Sequence, residues 1–135
     1  MPEQVWTWMH LVGRILFASF AIFFGLRHLI GMRVTARFLE SREVPGPKPV
    51  AFVTGIMLLV GGTFVLLGWH RFIGAGLLFL VLFPGGWALH AFWTESDPAD
   101  RMDQMGHFMK TVALAGAALI FAYYAAWPWP LSLGN

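Results

Sequence analysis

A chain of 135 residues that is 58% hydrophobic and only 12% charged has too little polar surface to cover a water-soluble globule, which is typically about a quarter charged. Its net charge of +2 does not point to nucleic acid, because membrane topology explains the basic residues better, and no nucleic-acid partner is expected. The lack of cysteine excludes a disulfide framework, thiolate metal sites and electron transfer through a cysteine pair on this chain.

The apolar residues fall in four blocks, Leu11–Ile30, Val50–Trp69, Phe72–Phe92 and Phe108–Trp127. Each is about 20 residues long, enough for a helix to cross a hydrocarbon core of roughly 30 Å. Backbone amides in lipid must be satisfied within the segment or in a closed barrel, and these runs lack the alternation of barrel strands. The expectation is an all-α polytopic membrane protein: a single domain over residues 1–135, built as a four-transmembrane-helix bundle with a kinked third helix.

Ahead of the first block, Met1–Met9 carries Glu3 and no Lys or Arg, and no A-x-A-like site follows, so the block reads as a retained helix rather than a signal peptide. Within it Arg14, Ala18, Ala21, Gly25 and His28 recur at helical spacing on one face. Lipid tails are as apolar as leucine, so close packing at small residues is what joins membrane helices. This face is therefore expected to turn inward. Loop one, Met32–Pro49, holds Arg33, Arg37, Arg42 and Lys48. Val34–Glu43 can form a short interfacial helix, stopped by Pro45, Pro47 and Pro49.

The second block offers Gly61 and Gly62, and a loop of little more than His70-Arg71 leads into the third, which offers Gly76 and Gly86. There the stretch FPGGWALHAFW, Phe83–Trp93, places helix breakers in an apolar run. Pro84 has no N–H for the carbonyl near Leu80 and its ring pushes the helix open, while Gly85 and Gly86 ease bending and close approach. A kink here is expected to open a recess, with His90 one turn beyond Gly86 on its wall. Loop three, Thr94–Gly106, is acidic with Arg101 inside it. In the fourth block Ala118, Ala122 and Ala126 form a small-residue line, with Thr111 and Ala115 beside it.

Four spans put loops one and three on one side and both termini with loop two on the other. The excess of Lys and Arg in loop one is expected to make its side cytoplasmic, with both termini outside. Trp6, Trp8, Trp69, Trp127 and Trp129 fall at segment ends on the termini side and Trp93 on the other, as expected of headgroup-level indoles; Trp87 lies deeper.

This topology sorts the histidines. His10 and His70 lie on the termini side near Arg14 and Arg71; His28, His90 and His107 gather on the loop-one side with Arg27, Glu95 and Lys110. Ionisable groups within a membrane are costly unless they face protein or water, which makes this set a candidate site, although each histidine singly reads as readily as an interfacial residue with its ring tip in water. No carboxylate lies within a membrane block, so no metal site is expected. Two histidines could ligate a b-type haem, but the spacing carries no haem signature. A quinone or similar isoprenoid carrier fits a recess reached from lipid. The candidate ligand-binding residues are His28, Trp87, His90, Trp93, His107 and Lys110, with Phe83 and Phe92 as further packing surfaces.

The segments GRILFASFAIFFGLRHLIG (Gly13–Gly31), FLESREVPGPKPVAFVTGIMLLVGGTFVLLGWHRFIGAGLLFLVLF (Phe38–Phe83), HAFW (His90–Trp93) and HFMKTVALAGAAL (His107–Leu119) together resemble the DoxX family of small four-helix bacterial membrane proteins. The resemblance implies a bacterial inner-membrane location and a link to redox partners, the founding member being the small subunit of a thiosulfate:quinone oxidoreductase. Arg14, His90, Trp93, Phe108 and Lys110 match positions typical of the family. Met57 stands where many relatives carry a glutamate, Thr111 follows Lys110 where asparagine is usual, and Pro84-Gly85-Gly86 replaces the commoner Pro-Ala-Thr. Two functions compete: a redox-associated subunit that binds a quinone-like ligand with a soluble or membrane redox partner, and a non-catalytic scaffold or assembly factor that holds another membrane protein through its small-residue faces. A transporter would need oligomerisation, such as a homo-oligomer, to find room for alternating access.

Overall fold

A computed structural model describes residues 2–134. Five α-helices follow in order: α1 (Glu3–Ile30), α2 (Met32–Ser41), α3 (Pro47–Leu67), α4 (Arg71–Leu89) and α5 (Pro98–Tyr124), with a 3-10 turn at Phe92–Thr94 before α5. Four stretches are long and apolar enough to cross a membrane: Glu3–Ile30, Pro47–Leu67, Arg71–Thr94 and Pro98–Tyr124. The all-α, four-span architecture is that expected from the sequence.

Element boundaries follow local chemistry. Pro47 opens α3 after Gly46, whose φ of 62° suits a residue without a Cβ. At the other end Gly68 (φ 64°) closes the helix: its N–H bonds Val65 O at 3.2 Å while Trp69 N–H reaches back to Phe64 O at 3.0 Å. This Schellman pattern satisfies the last carbonyls and turns the chain sharply. Much of loop three is helical. Asp97 caps α5 by accepting hydrogen bonds from the Ala99 and Asp100 amides at 2.8 and 3.1 Å, with Pro98 at the first helical position. The acidic Thr94–Gly106 segment thus extends α5 beyond its apolar block. The short helix of loop one is present as α2, starting at Met32 directly after Gly31. Through Pro84, α4 continues as helix to Leu89.

The helices pack in chain order, α1 on α3, α3 on α4 and α4 on α5, with α2 laid across α3. Glycines set the closest approaches. A Cβ on Gly25 would stand 2.7 Å from the Leu59 amide nitrogen and one on Gly62 3.0 Å from Ala21 Cβ, so α1 and α3 touch backbone to backbone. Between α3 and α4, Gly61 and Gly74 do the same, a Cβ on Gly61 lying 2.9 Å from the Gly74 carbonyl. Arg14, Ala18, Ala21 and Gly25 are buried as their spacing predicts, and so are Ala115 and Ala118 on α5. Two of the expected inward residues differ: Gly76 has no atom within 4 Å of its would-be Cβ, and Ala126 is exposed.

The arc does not close evenly. At the termini end α1 and α5 meet through rings, Phe17 stacking on Phe121 with centroids 4.9 Å apart. Towards the loop-one end the two helices do not pair, and the concave side of the arc stays open. Only 11% of the apolar window of α5 is buried, against 28%, 33% and 28% for the other three.

Candidate functional site

The open half of the arc is a cavity of about 1200 Å³, above the roughly 300–1,000 Å³ of small-molecule pockets. Every helix contributes to its wall. Phe20, Phe23 and Phe24 come from α1; Val34, Thr35 and Phe38 from α2; Thr54 and Leu58 from α3; Leu80, Pro84, Gly85 and Ala88 from α4; Thr111 and Leu114 from α5. Phe23, Phe24 and Leu80 line it and yet remain exposed, so the cavity opens sideways out of the helix arc. Pro84 and Gly85 present little side-chain bulk to it. Gly86 lies next to them against Thr111 and Val112 of α5, a would-be Cβ meeting Thr111 Cγ2 at 3.5 Å.

The polar groups of the wall are Arg27, His28, His90, His107, Lys110, Thr35, Thr54 and Thr111. His28 Nδ1 lies 3.2 Å from Thr54 Oγ1, whose own proton goes to Val50 O at 2.7 Å. His90 Nδ1 lies 3.0 Å from Gln104 Oε1. The rings of His90 and His107 stack with centroids 5.2 Å apart and planes 21° apart, and His107 Nε2 is 3.7 Å from Asp103 Oδ2 one turn earlier. Stacked imidazoles do not face one another edge to edge across a shared iron, the arrangement axial haem ligation requires. Among the described residues no group of three His, Cys, Asp or Glu could hold a metal ion.

Of the six residues singled out in the sequence, the fold brings four, His28, His90, His107 and Lys110, to one cavity wall. Trp87 and Trp93 are elsewhere. With Phe92 and Phe108 they form an aromatic cluster at the loop-one end of α4 and α5, Trp87 lying 5.2 Å from Phe108 and 5.5 Å from Trp93 between ring centroids. The reason is helical spacing: Phe79, Phe83 and Trp87 form one ladder along α4, one residue and so about 100° around the helix from the Leu80–Pro84–Ala88 line that faces the cavity.

Two features went unread in the sequence. The first is a latch between loops one and three: Arg42, at the end of α2, pairs with Glu95 at 2.9 Å, and Arg101 holds the Glu95 carbonyl through Nε and Nη2 at 3.1 and 2.8 Å. The basic loop one and acidic loop three were the available signal. The second lies at the opposite end of the bundle. Arg14 is 2% exposed and donates to the carbonyls of Pro130 and Leu131 at 3.1 and 2.7 Å, and Arg71 donates to Trp127 O at 2.7 Å. Their guanidinium carbons lie 5.9 and 5.5 Å from the Trp129 ring centroid, within cation–π range. Trp129 is therefore buried rather than set at the headgroup level as its position suggested. Leu133 N–H closes the tail on Leu67 O at 3.0 Å.

The DoxX family model matches residues 9–91, more than half of the chain. The protein belongs to the DoxX family, and its four long apolar helices make it a multi-pass membrane protein in contact with lipid. No curated protein and no solved structure matches it. The matched stretch runs from α1 to just past α4. It includes His28 and His90 and stops short of α5, which carries His107 and Lys110.

Proposed function

We propose that the protein is a redox-associated subunit of the bacterial inner membrane that binds a quinone-like ligand in the cavity between α1 and α5. Loops one and three would face the cytoplasm and both termini the periplasm. The observation that carries this reading is the composition of one cavity wall: aliphatic and phenylalanine side chains over most of its area, with His28, His90, His107 and Lys110 at one end. A flat ring with polar oxygens and an isoprenoid tail divides its surface in the same proportion. The sideways opening suits a ligand that arrives dissolved in lipid.

Purification in mild detergent from native membranes, followed by solvent extraction and mass spectrometry, tests the reading. A lipophilic quinone should co-purify with the wild type and be lost from Ala88→Trp, whose indole would occupy the cavity. A preparation free of any such ring, together with an unchanged lipid profile in Ala88→Trp, would overturn it. The same purification reports any redox partner or second copy of the chain. The scaffold alternative has less to draw on, since Gly25, Gly55, Gly61, Gly62 and Gly74 meet neighbouring helices of this same chain.

A further inference from the structure

His28 and His90 line the same cavity from α1 and α4, and the hydrogen bonds that hold them determine which ring nitrogen is left over. Thr54 has a single hydroxyl proton and gives it to Val50 O at 2.7 Å. In its 3.2 Å contact with His28 Nδ1 the hydroxyl oxygen is therefore the acceptor and Nδ1–H the donor. The neutral ring then carries its lone pair at Nε2. Gln104 Oε1, 3.0 Å from His90 Nδ1, is a carbonyl oxygen and can only accept, so His90 is held in the same tautomer. Neither Nε2 is among the buried atoms lacking a partner, and no carboxylate of the described residues forms an ion pair with either ring. One end of the cavity thus offers two accessible hydrogen-bond acceptors. Among the donors on the same wall, Thr111 gives its hydroxyl proton to His107 O at 2.9 Å and His107 Nε2 faces Asp103 Oδ2 at 3.7 Å, while Arg27 and Lys110 are exposed and their long stems can carry the charge to the headgroup level.

We infer that the cavity selects a lipophilic ligand whose polar end donates hydrogen bonds: a hydroquinone or comparable phenol in preference to the carbonyl-only oxidised ring. The inference rests on the reading of the cavity as a site for a lipophilic redox ring, and adds the redox state that it holds. A quinone brings only lone pairs to the two Nε2 lone pairs. A hydroquinone brings O–H groups that can bond them. One or two additional hydrogen bonds of ordinary strength amount to a preference on the order of tenfold. His28 and His90 are binding residues here, and Thr54 is a positioning residue that acts through His28.

The test uses the full chain in nanodiscs of quinone-free lipid, titrated anaerobically with a short-tailed benzoquinone and its hydroquinone in a calorimeter, with empty nanodiscs subtracted for partitioning. The expected result is that hydroquinone binds about tenfold tighter. In His28→Phe and His90→Phe the hydroquinone should lose more affinity than the quinone, so that the ratio between them shrinks towards one, and Thr54→Val should lower the preference in part. Equal affinities, or a tighter quinone, in the wild type would overturn the donor preference while leaving the ligand reading in place. Binding of neither form would overturn the ligand reading, and this inference with it. The wild-type comparison stands even if a variant fails to fold.

Discussion

Gly25 and Gly76 show how much one hydrogen atom decides at the residue scale. At Gly25 a Cβ would press on the Leu59 backbone at 2.7 Å, and at Gly76 it would meet nothing within 4 Å. Gly25→Ala should therefore cost about 1–3 kcal/mol, the usual range for overpacking, while Gly76→Ala should be neutral or slightly stabilising. Thermal unfolding in detergent separates them; equal melting temperatures would mean that α1 and α3 are further apart than described. Arg14 gives a second prediction. Arg14→Met keeps the length of the side chain and leaves the Pro130 and Leu131 carbonyls without their donor. A hydrogen bond from a charged donor contributes about 1.5–3 kcal/mol. Hydrogen exchange of the amides from Trp127 to Leu133 should rise in this variant, and protection as in the wild type would show that the tail is held by other contacts.

At the scale of elements, the α2 latch is a partly exposed ion pair, its two side chains 21% and 26% exposed. Such pairs contribute about 0.2–1 kcal/mol and weaken with salt. A double-mutant cycle on Arg42→Gln and Glu95→Gln should give a coupling in that range that shrinks at high salt; zero coupling at low salt would remove the latch as a constraint on α2. The helices themselves were legible in the sequence because a membrane leaves the backbone few alternatives, and the small-residue face of α1 followed from its 3.6-residue period. What escaped the sequence was contact between distant segments. The spacing of Trp87 in α4 does not say which neighbour each face meets, and nothing local to WPWPLS announces that two arginines from other helices will bind its carbonyls. Loop three misled for a different reason: its charge masked a well-capped helix start at Asp97-Pro98.

For the whole molecule, the proposed orientation is checked by single cysteines at Glu40, His70 and Asp100 treated with an impermeant thiol reagent. Glu40 and Asp100 should label from one compartment and His70 from the other. Any other pattern would remove the common level that gathers His28, His90 and His107. That gathering was readable from topology alone, because three helices with a histidine near the same end must bring them to one depth. The size of the cavity was not, since it depends on α1 and α5 meeting at Phe17 and Phe121 and diverging beyond.

That divergence has a consequence for any measurement of affinity. A cleft that opens between two helices into the acyl chains draws its occupant from the bilayer and not from the aqueous phase. Occupancy then follows the mole fraction of the compound in lipid, so an apparent dissociation constant expressed per litre of buffer should rise in proportion to the amount of membrane present, with the protein itself unchanged.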